Sequence, residues 1–126
     1  MSATTSSPPL DEERLNALLG QAVVEFGATV NAALVVIGDR LGLYRELAAG
    51  GPYTSAELAA RTGTSERYVR EWLGAQAASG WVNYDADGDR YSMSPEQALM
   101  FADPNSPAFV AGGFQIALGS ADAREH

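Results

Sequence analysis

The sequence predicts a mainly α domain with a small β-hairpin: a winged helix-turn-helix carrying extra N- and C-terminal helices. Three observations carry that prediction. T-S-A-E-L-A-A-R-T-G-T-S-E-R-Y-V-R-E-W-L (54–73) reads as two helices separated by a glycine turn. W-V-N-Y-D-A-D-G-D-R-Y-S-M (81–93) reads as a hairpin with Asp-Gly at its centre. Long apolar stretches at helical spacing flank both.

Residues 1–10 are rich in Ser, Thr and Pro and read as a disordered lead-in. Residues 11–50 form the N-terminal helices. Asp11, Glu12 and Glu13 place acid at a helix start, where the dipole favours it. Leu15, Leu19, Ala22, Phe26, Val30, Ala33 and Ile37 then recur in steps of three and four, predicting one buried stripe. Leu18, Val23, Val24, Leu34, Val35 and Val36 cover other faces, so the helix needs cover on more than one side. One side falls to the domain itself and the other to a second copy. Gly20 and Gly27, seven apart, either let two helix backbones approach or simply kink or end the helix. Asp39–Ala48 follows as a segment with Leu41, Tyr44 and Leu47 on one face, closed by Gly50-Gly51-Pro52.

Residues 51–94 form the winged helix-turn-helix. Thr54 and Glu57 make a capping box, so a helix starts at Ser55, with Leu58 and Ala59 inward. Gly63 ends it, Thr64 or Ser65 caps the next, and Val69, Trp72, Leu73 and Gln76 share one face up to Gly80. Trp81–Tyr84 and Arg90–Met93 are the strands. In residues 95–120, Ser94, Pro95 and Gln97 start a helix carrying Ala98, Leu99 and Phe101. Asp103–Pro107 breaks it. Ser106-Pro107 opens a last apolar helix with Phe109, Val110, Phe114, Ile116 and Leu118, and 121–126 is a polar tail.

Composition narrows the chemistry. The chain has no cysteine and no lysine, and its one histidine is His126. Thiolate catalysis, disulfides and the usual nucleophile-plus-base pairings are therefore out of reach. The net charge of −8 is poor for phosphate-backbone binding. A DNA reader would present Glu66, Arg67, Arg70, Glu71 and Gly74 to the major groove. Arg67 and Arg70 are the residues it would use, but each has a carboxylate four residues away, Glu71 and Glu66 respectively. The wing tip carries Asp85, Asp87 and Asp89, and an ion-paired, solvated face is the simpler reading. Those aspartates with Glu96 match the spacing of a calcium loop only superficially, because Arg90 stands where glycine is required. No metal site is expected. The longest uninterrupted apolar run, Ala32 to Ile37, is too short to span a membrane, and residues 1–9 lack the pattern of a signal peptide. A cytoplasmic protein is the expectation.

D-R-L-G-L-Y-R-E-L (39–47), the 54–73 stretch and Y-S-M-S-P-E-Q-A-L (91–99) together resemble the N-terminal winged-helix domain of bacterial class I S-adenosylmethionine-dependent methyltransferases acting on small molecules. The resemblance covers about Leu15 to Ser120. It implies a domain that builds a homodimer and caps the substrate cavity, joined in a longer chain to a catalytic domain that holds the methyl donor. The sequence departs from the family where a strand and D-x-G-x-G loop should be: Gly50-Gly51 precedes a proline, and Gly112-Gly113 lies in a helical pattern. The resemblance thus implies no catalytic residue and no cofactor-binding residue in this chain, with S-adenosylmethionine and a methyl acceptor expected only with the catalytic domain. Neither nucleic acid nor membrane is an expected partner. A small winged-helix transcriptional regulator is the alternative, and a free-standing binder of apolar ligands between the first and last helices is a third reading.

Overall fold

The computed structural model describes residues 8–111. Its elements are α1 (Glu12–Arg40), α2 (Leu43–Gly50), α3 (Ser55–Thr62), α4 (Glu66–Ser79), β1 (Asn83–Asp85), β2 (Arg90–Ser92) and α5 (Pro95–Phe101). α3, the turn at Gly63 and α4 form the helix-turn-helix, and β1 and β2 form the wing. α2, α5 and the last turns of α1 close over them.

α1 begins where Asp11 caps the Arg14 amide at 3.1 Å and runs unbroken for 29 residues, about 43 Å at 1.5 Å per residue. Neither Gly20 nor Gly27 ends it. It also absorbs Asp39 and Arg40, which the sequence assigned to the next segment. The break falls at Leu41-Gly42, where Gly42 adopts φ 74°, a left-handed conformation cheap only for glycine. Helical spacing is lost across that turn. Leu41 is therefore exposed instead of sharing a face with Tyr44 and Leu47, and Leu43 is buried with them. Arg45 ties the turn down, donating to the Asp39 carboxylate at 3.1 Å and to its carbonyl at 2.7 Å.

The capping predictions for α3 and α5 hold in both directions. Thr54 Oγ1 accepts from the Glu57 amide at 3.2 Å while Glu57 Oε1 accepts from the Thr54 amide at 3.0 Å. Ser94 and Gln97 repeat the exchange at 3.2 and 2.8 Å. Gly63 (φ 66°) and Gly80 (φ 82°) end α3 and α4. Ser65 occupies the N-cap of α4 without a side-chain cap bond. Ser55 instead reaches across from α3 to Glu66 at 2.6 Å, fixing the angle between the two helices. Gln97 reaches beyond its own helix to the Gly80 carbonyl and to Asn83, joining α5 to the end of α4 and to the wing.

The wing is shorter than its sequence runs, with Asn83 opposite Ser92 and Asp85 opposite Arg90. Its left-handed residue is Asp89 (φ 50°), not Gly88. Asp tolerates that conformation better than most residues, and here its carboxylate accepts from Tyr84 Oη at 2.8 Å. Tyr53, ahead of α3, pairs with Tyr91 through two backbone hydrogen bonds of 2.9 and 2.7 Å. That added rung holds the wing against the helix-turn-helix. After α5 the chain turns through Asp103–Pro107 as expected, but Pro107–Val110 lie outside any helix, so the predicted start of a helix at Pro107 fails. The remainder of that segment, Gly112-Gly113, Phe114, Ile116 and Leu118, and the lead-in 1–7 lie outside the described residues.

The core gathers Trp72, Tyr44, Phe101, Leu43, Leu47, Leu58, Leu73, Val69, Val82 and Val35. Tyr44 sits at its centre, edge-on to Trp72 at 4.8 Å and stacked on Phe101 at 5.1 Å. Gly38 makes this possible. A Cβ there would overlap Trp72 Cζ2 and lie 2.9 Å from Tyr44 Cε2. Gly38→Ala is therefore expected to destabilise the domain by about 1–3 kcal/mol through overpacking. Gly74→Ala, in α4 with nothing within 4 Å, is expected to stabilise it by up to about 1 kcal/mol. Urea denaturation of both variants checks the contrast.

Glu57 generates a second prediction. Its carboxyl is held below 4.5 by the Thr54 amide and hydroxyl of the capping box, and further by Arg90 and Arg61. A depressed folded value means stability that is present above the unfolded value and lost as pH falls through the folded one. Denaturation midpoints followed downward from pH 6 should fall less steeply below about 4.5 in Glu57→Gln, which retains an acceptor for the Thr54 amide without a titrating charge.

Candidate functional site

Two surfaces are candidates for function, the outer face of α4 with the wing and the N-terminal part of α1. On the first, Arg70 approaches Glu66 at 3.8 Å, as its spacing predicts. The Arg67–Glu71 pair does not form: no contact within 4.0 Å joins them among the described residues. Arg67 and Arg70 are both exposed on α4, one turn apart. The other cations near the helix-turn-helix are engaged. Arg61 reaches Glu46 at 3.6 Å and lies 5.2 Å from the Tyr53 ring centroid, and Arg90 holds Glu57 at 3.3 Å. In the wing, Asp85 accepts from the Asp87 amide at 3.0 Å and Asp89 from Tyr84. These carboxylates are spent on the turn, and their charge faces where a phosphate backbone would run. No group of three metal-ligating side chains converges among the described residues.

Among the described residues no strand runs through a glycine-rich loop into a helix. β1 and β2 are joined by an acidic hairpin, and β2 passes directly into α5. The N-terminus of α5, where a Rossmann-like fold would receive an anion, is closed by Ser94, Pro95 and Gln97.

The second surface is large and apolar. From Leu10 to Val30 every described residue is exposed, including Leu15, Leu18, Leu19, Val23 (70%), Val24 (71%), Phe26 (73%) and Val30. Burial on α1 begins only toward its C-terminal end, at Val35, Val36 and Gly38. The predicted buried stripe is thus not buried by this chain: even Ile37, beside the domain, is exposed. Two causes act: the arm runs past the end of the domain, so every face from Leu10 to Val30 is exposed, and where α1 does meet the domain its rotation turns Ile37 away. Gly20, Gly27, Asn31 and Gly38 share one helix face, at spacings of seven, four and seven. Gly38 meets Trp72 and Asn31 meets Gln76, so this face turns to the domain, and the Leu15–Ile37 stripe points elsewhere. Gly20 and Gly27 continue the docking face into open space, with nothing within 4 Å. Over 18 residues α1 reaches a mean hydropathy of 1.5, so by length and composition alone it is apolar enough to cross a membrane. The short uninterrupted run in the sequence understated this, because isolated polar residues divide a longer apolar stretch.

Residues 28–102, well over half of the chain, match the model of the Rv2258c-like winged HTH domain, and the chain belongs to that family. No curated protein matches the sequence. Similar solved structures are methyltransferases. The mitomycin 7-O-methyltransferase MmcR has 24% identity and a TM-score of 0.70 over 83% of this chain and 30% of that one. CalO1, a methyltransferase in calicheamicin biosynthesis solved with SAH bound, has 24% identity and a TM-score of 0.64 over 86% and 30%. Human N-acetylserotonin methyltransferase in complex with SAM has 15% identity and a TM-score of 0.61 over 100% and 36%. At these identities the likeness is one of fold. The chain spans about a third of the length of these proteins.

The charge arrangement predicts that the chain does not retard duplex DNA in a salt-sensitive manner. A gel shift at low salt checks this, and retention that Arg67→Ala and Arg70→Ala weaken together would favour a DNA-reading role for α4.

Proposed function

We propose that this member of the Rv2258c-like winged HTH family is the N-terminal dimerisation and substrate-lid domain of an S-adenosylmethionine-dependent O-methyltransferase, without catalytic groups of its own. The observation that carries the proposal is α1. None of its first 19 residues is buried, yet they carry seven large apolar side chains on more than one face. A soluble monomer rarely leaves so much apolar surface uncovered. The methyltransferases of similar fold are about three times longer, which supports a partner domain in the same polypeptide. That domain would bring the methyl donor and shape the acceptor site beneath the helices described here.

A second copy suits the arm better than a bilayer does. Glu25 lies mid-helix with Gln21 one turn before it and Thr29 one turn after, giving the arm a polar edge. Glu25 at bilayer depth would cost about 2.5–3.5 kcal/mol, if it behaves as other charged side chains do. Along a protein–protein contact it stays at the rim in water. The three acids at the helix start also disfavour an anionic lipid surface.

Sedimentation or light scattering at micromolar concentration is expected to give a dimer, and a clean monomer would overturn the dimerisation reading. Leu19→Asp with Phe26→Asp should weaken the dimer by about a hundredfold or more, each 1.4 kcal/mol being tenfold. Because neither residue touches the folded domain, the thermal transition of the helix-turn-helix should survive.

A further inference from the structure

Among the described residues, Gln76 is the buried polar residue of the core, with no exposed surface. It receives a hydrogen bond from Tyr44 Oη at its Oε1 and donates through Nε2 to Asn31 Oδ1 at 3.3 Å. Burial pushes the Tyr44 hydroxyl above the ordinary phenol range, with the Asp39 charge adding to it, so Tyr44 remains a donor at every pH the protein meets. With Tyr44 Oη donating to its oxygen, the Gln76 amide turns its NH2 to Asn31 of α1. One turn further along α1, Trp72 Nε1 donates to the Leu34 carbonyl at 2.9 Å. Both contacts are directional, and both arrive from α4. The Gly38 contact sets how closely α1 approaches α4 at one point, while the flanking Leu34, Val35, Val36 and Ile37 are apolar nearly all the way round and do not by themselves select one rotation. A single buried amide is the device by which helix assemblies exclude such alternatives.

We infer that the Tyr44–Gln76–Asn31 relay is a positioning device that sets the rotation and exit direction of α1, and thereby which face of the Leu15–Val30 arm is offered to its partner. The last clause rests on the dimer reading; the setting of α1 does not. Asn31 is where the arm leaves the domain: every described residue before it is exposed, and from it onward burial begins. A rotation of one residue, 100° about the helix, would replace the Leu15–Leu19–Phe26 stripe by a different set of side chains. Asn31 and Gln76 are thus specificity-determining without touching the partner.

The absence of cysteine makes the test clean. Gln21→Cys on the arm and Ala60→Cys on α3 carry spin labels in the full chain, diluted with unlabelled chain so that only intramolecular distances are read. The expected result is one narrow distance distribution. Gln76→Leu should broaden or split it and raise the dimer Kd by about tenfold. Should Gln76→Leu fail to fold, the triple variant Asn31→Leu/Tyr44→Phe/Gln76→Leu removes every partner together, leaves no polar orphan, and should fold with the same broadened distribution. An unchanged narrow distribution in a folded variant overturns the inference. A monomeric chain whose distribution still broadens overturns the dimer reading while sustaining the positioning role.

Discussion

The structure depends on the contact between Gly38 and the paired rings of Trp72 and Tyr44. It joins α4 to the consecutive helices α1 and α2, and it has no slack: one methyl group on Gly38 would enter the indole. Around it the other bonds take their places. Trp72 can reach the Leu34 carbonyl only because α1 lies this close, and Tyr44 can present its hydroxyl to Gln76 only because its ring is held between Trp72 and Phe101. Remove the close approach and α1 has no fixed seat. The remaining helix-turn-helix is held by its own caps and by the Ser55–Glu66 bond, which concern α3 and α4 alone.

This division of labour gives the helix-turn-helix shape a structural use that needs no DNA-reading face. The inner side of α4, Val69, Trp72, Leu73 and Gln76, is wholly buried, against α3, against α1 and against Tyr44 of α2. The outer side carries mixed charge, and the wing beside it is acidic. The fold is thus used from the inside, as a rigid block on which a long helix is mounted. What the mounted helix does is set by its free part, whose apolar side chains find no cover on this chain.

Much of this was legible in the sequence because it depends on neighbours within one turn. The boxes Thr54/Glu57 and Ser94/Gln97, the helix ends at Gly63 and Gly80, and the inner face of α4 are local chemistry. What escaped depends on tertiary partners. Periodicity marks Leu15–Ile37 as apolar but does not tell burial by the same chain from burial by another. Glycine spacing marks Gly20 and Gly27, while the role of Gly38, set among valines and isoleucine, depends on Trp72, which lies far away in sequence. Gly42 broke the helical count and moved Leu41 outward. The i,i+4 rule placed Arg67 with Glu71, but an exposed pair gains so little that the side chains need not meet. The Tyr53–Tyr91 rung joins residues 38 apart and left no local trace. The second surface was therefore legible as apolar, and its orientation was not.

The central claim is that the arm of α1 is covered by a second copy of the chain, whereas its C-terminal end is covered by its own domain. Hydrogen exchange along α1, followed across a dilution series, tests this most directly. Amides of residues 32–40 should exchange slowly at every concentration. Amides of residues 16–30 should be protected at high concentration and lose that protection as the chain is diluted through its dimer Kd. An arm that exchanges equally fast at all concentrations, or that keeps its protection in the monomer, would contradict the account.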